Sequence, residues 1–157
     1  MERGEGERGP SGRERRGAAE LPWLDPERVA RARRAARRIV KQALRGERRD
    51  SLGEAIRSLY ADVPRESWVA RAVARILLKT VERASASVWR VYGVPALGDW
   101  YNVYIVSIGA DGRYRCSCFN TKFGYVRRAR ICTHIAAVML KRRQRKIEDY
   151  FRSDWSP

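Results

Sequence analysis

The chain spends all three of its cysteines and its single histidine in one short stretch: Cys116, Cys118, Cys132 and His134, a C-x-C and a C-x-H separated by a basic loop. Four soft or borderline donors grouped this way, with none used elsewhere, predict one closed metal site of Cys₃His type, and zinc is the ion that suits it. A closed site of this kind forces distant backbone segments together, which constrains the fold more than any hydrophobic pattern here.

The spacing carries geometry. Residues two apart on an extended strand face the same side, so Cys116 and Cys118 can both reach an ion about 2.3 Å from each sulfur. Residues two apart on a helix point about 200° away from each other, so Cys132 and His134 cannot share one. Cys132 is therefore expected just before a helix, with His134 in its first turn. Ile135, Val138 and Met139 then make an apolar stripe that Ile147, Tyr150 and Phe151 resume. Upstream, residues 101–108 read as a strand, 109–112 as a hairpin turn and 113–119 as the return strand carrying the first two ligands. Residues 87–93 read as a further strand and 95–99 as a connecting loop, giving a small three-stranded antiparallel sheet.

This order, C-x-C, variable loop, then C-x-H opening an amphipathic helix, resembles the SWIM-type zinc finger, and residues 132–140 resemble the stretch that follows the second ligand pair in that family. The resemblance covers residues 88–146. It implies zinc and a DNA-binding or protein-binding role, because SWIM fingers occur in transposases, chromatin-remodelling ATPases, ubiquitin ligases and partners of recombinases. It does not imply one activity.

Other uses of the same residues fit less well. A disulfide would leave one cysteine unpaired, and a C-x-C bridge is geometrically poor. An iron–sulfur cluster with one histidine ligand usually shows other spacings. A catalytic cysteine needs a base, and the only histidine is already committed. No Gly-rich phosphate loop, Ser/His/Asp set or paired acids occur, and a four-ligand zinc leaves no open position for water, so no enzyme activity and no small-molecule substrate are expected.

Charge adds the partner. The formal net charge is +16. It falls in two blocks: residues 25–49 hold ten basic and three acidic groups, and residues 120–146 hold nine basic groups and no acidic one. Zinc with three thiolates is net −1, which leaves the metal-bound protein at about +15. An excess this large is costly in self-repulsion unless an anionic partner relieves it. The candidate phosphate contacts are Lys122, Arg127, Arg128 and Arg130 between the ligand pairs, Lys141, Arg142, Arg143 and Arg145 on the last helix, and Arg31, Arg34 and Arg38 on the first. Phe119, Phe123 and Tyr125 are interleaved with the loop cations, where aromatic faces can stack on bases; Phe119 and Phe123 can instead pack under the metal, the favoured reading for Phe119, and Tyr125 is open between the two. A charged helix face is also simply well solvated, and that plain reading stands beside the functional one.

Residues 1–24 are rich in Gly, Arg and Glu, with no net charge and little to bury, and read as a disordered, solubilising tail. Residues 25–46 begin with Asp25 and Pro26 and end in Gly46, strong helix start and stop signals. A second helix is expected over 51–62 and a third over 64–84, with Trp68, Val69, Ala72, Val73, Ile76, Leu77, Thr80 and Val81 inward and Arg71, Arg75, Lys79 and Arg83 outward. The expected organisation is thus α+β: a tail over 1–24, a helical unit over 25–85 and a SWIM-like finger over 86–152. No membrane span or signal peptide is apparent, which points to a cytoplasmic protein whose thiols stay reduced. Asn and Gln total four, which fits a heat-loving source such as an archaeal thermophile, although a GC-rich genome alone would also raise the 29 arginines. Nucleic acid, either DNA or RNA, is the expected partner; a protein-interaction adaptor and a ribosome-bound component are the alternatives.

Overall fold

The computed structural model describes residues 21, 23, 25–120 and 131–154. Of the expected tail over 1–24 only Leu21 and Trp23 are described; the rest of it and the loop with Lys122, Phe123, Tyr125, Arg127, Arg128 and Arg130 lie outside the described residues.

Helix α1, Pro26–Leu44, starts as its residues dictate: the Asp25 side chain accepts from the Glu27 amide at 3.0 Å and proline occupies the first position. Its stripe of Val29, Ala36, Val40 and Ala43 is buried. Helix α2, Ser51–Asp62, is capped by Asp50, which accepts from the Gly53 amide at 2.8 Å. Helix α3, Glu66–Leu77, buries Val69, Ala70, Ala72, Val73 and Ala74.

The third helix is shorter than its apolar spacing predicts. It stops at Leu77, and Val81–Arg83 forms strand β1 instead of a further helical turn. Lys79 takes a left-handed φ of 58°. Its amide bonds to Ile76 O at 3.0 Å and the Thr80 amide reaches back to Arg75 O at 3.1 Å, the paired bonds of a Schellman ending. Glycine usually supplies that conformation, so a lysine there hides the stop.

Strand β2, Val88–Tyr92, pairs with β1 and with β3, Val103–Ile108, and β3 pairs with β4, Tyr114–Cys116, all antiparallel in the order β1-β2-β3-β4. The sheet therefore has four strands, one more than expected, the extra one formed by residues whose apolar spacing continues that of α3. Gly93 follows β2 where the chain passes close to β3: a Cβ there would sit 1.8 Å from the Tyr101 carbonyl oxygen, so no other residue fits without movement. The return strand ends at Cys116, and Cys118 stands in the 3-10 turn Ser117–Asn120 rather than on the strand.

Helix α4, Thr133–Asp154, closes the structure and packs on α2 and α3 as well as on the sheet. Its first turns, Ile135 to Leu140, are buried throughout, and the hydrophobic core they join runs without a break from Val29 in α1 to Val106 in β3. The apolar stripe stops sooner than predicted: Ile147 packs against the core, while Tyr150 and Phe151 are exposed. The architecture is α+β, helices first, then the sheet, then the last helix, as the sequence implies. No helix among the described residues is long and apolar enough to cross a membrane.

Candidate metal centre

Cys116, Cys118, Cys132 and His134 meet in one buried cluster, their donor atoms all within 4.8 Å of one another. Cys116 Sγ lies 3.7 Å from His134 Nδ1. Tetrahedral ligands about 2.0–2.3 Å from one ion are about 3.5–3.8 Å apart, so this spacing fits a four-coordinate metal. Cys132 precedes α4 and His134 lies in its first turn, as the two-residue spacing requires. Backbone amides face the sulfurs: Cys118 N–H donates to Cys116 Sγ at 3.5 Å and Ile135 N–H to Cys132 Sγ at 3.4 Å. The 3-10 turn accounts for the first contact, since it swings the Cys118 amide toward Cys116 while keeping both sulfurs in the cluster. Amides aimed at sulfur favour thiolates, the form a metal needs.

Behind the histidine is a charged triad that the sequence does not announce. His134 Nε2–H donates to Asp99 Oδ1 at 2.8 Å, and Nδ1 is thereby left to face the sulfurs. Arg75 grips the same carboxylate with two bonds, Nη1 to Oδ2 at 2.6 Å and Nη2 to Oδ1 at 3.0 Å. The Val94 amide adds a fourth donor at 2.8 Å, closing the loop between β2 and β3 onto Asp99. Arg75 Nη2 also reaches Thr133 Oγ1 at 3.1 Å, between the last two ligands. The spacing of α3 puts Arg75 outward, and the structure corrects this: its side chain is 1% exposed and Asp99's is 4%. The aliphatic part of Arg75 is wrapped by the core, and its charge is met by a carboxylate 24 residues away. Tyr104 stacks on the His134 ring at 3.9 Å between centroids, and its hydroxyl accepts from the Trp100 and Tyr101 amides at 3.0 and 3.1 Å.

The electrostatics of the metal-free cluster follow from these contacts. Burial would raise the Asp99 pKa, but hydrogen bonds from His134 and Arg75, with the Arg75 charge, hold its carboxyl well below the usual carboxylate range. Burial works against a charged His134, yet Asp99 and the neighbouring thiols push its pKa up to about 10. Hydrogen bonds from Cys116 and Cys118 hold the Cys132 thiol far below its usual range, and hydrogen bonds with Cys118 and then Cys132, together with burial, push Cys116 far above it. The cluster therefore holds protons that a cation would displace, so metal loading is expected to release them.

No family model, curated protein or solved structure matches the chain. The likeness to the SWIM-type finger rests on the ligand pattern and on the order of strands, turn and helix.

The candidate phosphate contacts divide sharply. On α4, Lys141 Nζ donates to Val81 O at 2.6 Å, Arg142 bonds the Tyr114 hydroxyl and lies 5.5 Å over the Trp89 ring, Arg143 pairs with Asp62 and Ser58, and Arg145 approaches Asp149 at 3.9 Å. On α1, Arg31, Arg34 and Arg38 are exposed and make no hydrogen bond or ion pair among the described residues. The structure thus brings the four candidate metal donors together, while the described candidate cations lie on two helices, α1 and α4. For Asp99 one signal existed in advance: a ligating histidine usually gives its second ring N–H to an acceptor, often a carboxylate. Nothing in the sequence singled out which acid, and nothing marked Arg75.

Proposed function

We propose that the Cys₃His cluster holds zinc as a structural ion in a SWIM-like finger, and that the protein is a non-catalytic nucleic-acid-binding protein with little sequence preference. Three thiolates and one imidazole with their donor atoms within 4.8 Å of one another suit zinc, and four protein donors would complete its shell, so the ion shapes the protein rather than carrying out a reaction.

The observation that carries the binding reading is the uncommitted cationic face of α1. Arg31, Arg34, Arg37 and Arg38 stand exposed without a carboxylate partner among the described residues, on a helix whose opposite side is core. Such a face attracts phosphates, reads no base and loses affinity with salt. The loop cations Lys122, Arg127, Arg128 and Arg130 extend this reading from sequence. The experiment is binding of the zinc-loaded protein to duplex DNA and to single-stranded RNA across salt. With six phosphates neutralised, log affinity falls against log salt with a slope of about −5 for duplex and about −4 for single strands. An affinity indifferent to salt between about 50 and 200 mM removes the reading.

One observation favours the adaptor alternative. Trp100 is 90% exposed and Tyr101 57%, with Val103 and Ile105 also open beside them, an apolar patch of the kind that protein partners cover. Binding through that patch shows little salt slope, so the same titration separates the two.

A further inference from the structure

We propose that the cleft between α1 and α3, walled by Arg33, Arg37, Arg71 and Ser67, is a seat for one phosphate group, and that a nucleic-acid backbone supplies it. The source of the phosphate rests on the binding reading above; the seat itself does not.

The cleft has a volume of about 130 Å³ and a floor of Ala70, Ala74 and Leu97. That is well short of the roughly 300 Å³ at which pockets begin to take drug-sized ligands, and it suits a single small group. Three arginines line the cleft, and no acidic residue among the described residues does. Arg37 and Arg71 make no hydrogen bond or ion pair among the described residues, and Arg33 has only a 3.5 Å contact to Ala96 O. Three like charges around one apolar-floored space repel one another more than they would in bulk water, and an anion is what relieves them. A second feature points the same way. Ser67 lies in the first turn of α3, and Arg65 precedes that helix without a side-chain cap; the Trp68 amide bonds Arg65 O at 3.1 Å, which leaves the Glu66 and Ser67 amides open at the positive end of the helix dipole. Glu66 stands in the same turn but does not line the cleft. Guanidinium forks, a hydroxyl and uncapped amides together are the donors that phosphate oxygens accept from.

The position also fits an extended ligand. Across the α1–α3 contact, Arg28, Arg31 and Lys79 line a second, wider cleft. The exposed Arg34 and Arg38 lie on the same helix as both, so a strand seated in the first cleft has further cations along α1.

The test uses the full-length, metal-loaded protein, the double variant Arg37→Gln/Arg71→Gln, and a control with equal charge loss on the hairpin, Arg113→Gln/Arg115→Gln. Two readouts are taken: the salt slope for duplex DNA and single-stranded RNA, and the melting shift produced by inorganic phosphate against chloride at equal ionic strength. The seat requires the double variant to lose about tenfold in affinity and about one unit of slope relative to the control, the share of one phosphate. It also requires phosphate to raise the melting temperature of parent and control but not of the double variant. If the parent binds nucleic acid steeply while double variant and control behave alike, the seat is wrong and the nucleic-acid reading stands. If nucleic acid does not bind but phosphate protects only proteins with the cleft intact, the seat stands, its occupant is a small phosphorylated molecule, and the nucleic-acid reading falls. Equal phosphate protection in all three proteins, or none in any, overturns the seat.

Discussion

Helices α1 and α4 carry similar runs of arginine and lysine, yet the molecule uses them in opposite ways. On α4 the cations are fasteners: Lys141 ties to β1 through Val81 O, Arg142 lies on the sheet between Trp89 and Tyr114, and Arg143 bridges to α2 through Asp62 and Ser58. On α1 they are free: Arg31, Arg34, Arg37 and Arg38 point away from the core with no acid to meet them among the described residues. The difference lies in what each helix packs against. α4 runs between the sheet and two helices, so its cations find hydroxyls, carbonyls and rings on either side. One flank of α1 has no neighbour among the described residues, and its charges are exposed. Composition alone makes the two runs equivalent, and the packing makes one structural and the other available.

The largest effect expected tests the anchor that sets α4 in place. Because the buried start of α4 belongs to the shared core, removing the metal is expected to destabilise α2, α3 and α4 together with the sheet. Structural zinc supplies on the order of 10 kcal/mol in small fingers. Elemental analysis should find one zinc per chain, and chelation or Cys132→Ser should lower the melt of the whole helical signal. A helical signal that persists unchanged on chelation would show that α4 is held by its packing and its cations alone.

Next in size is the buried triad. Arg75→Met strands Asp99 in the core and should cost about 3–5 kcal/mol in denaturant unfolding of the metal-loaded protein. Asp99→Asn should weaken metal retention about 10–100-fold in chelator competition, because it loosens the His134 ring at Nε2. A variant that loses stability but keeps full metal affinity would confine Asp99 to pairing with Arg75.

Smaller changes come from the fasteners. Arg142→Gln gives up a hydrogen bond and a ring contact and should cost about 1 kcal/mol, and Arg143→Gln, whose ion pair with Asp62 is partly exposed, at most about 1 kcal/mol. Both should leave nucleic-acid affinity closer to the parent than charge loss on α1 does. The smallest stability effect, within about 0.5 kcal/mol, is expected for Arg31→Glu, Arg34→Glu and Arg38→Glu combined, while the same triple reversal should cause the largest loss of nucleic-acid affinity of any variant on these two helices. If fastener variants weaken binding as much as the α1 reversal, the contrast between the helices does not extend to function.

The sequence made much of this legible where local rules act alone. Asp25, Pro26 and Gly46 bound α1 to within two residues because caps and φ preferences are properties of the chain itself. The C-x-H spacing placed Cys132 outside α4 and His134 in its first turn because no helix can aim both at one point. Reading failed where a residue broke its type's habit. Lys79 adopts the conformation expected of glycine, so α3 ran on in the pattern and β1 was lost. Cys118 left the strand because the turn at Ser117 serves the sulfurs better than a further extended pair.

By itself, then, the sequence determined which four residues gather into the candidate metal cluster, the start of the last helix, the α+β order and the two basic runs, since each follows from spacing or composition within a few residues. Tertiary structure alone decided that Arg75 is buried, that Asp99 of all the acids orients His134, and that Lys141, Arg142 and Arg143 of α4 are engaged while Arg31, Arg34, Arg37 and Arg38 of α1 have no partner among the described residues. The physical reason is the same in each case. Whether a charge can leave water depends on a partner delivered from elsewhere in the chain, as Asp99 is to Arg75 and Asp62 is to Arg143.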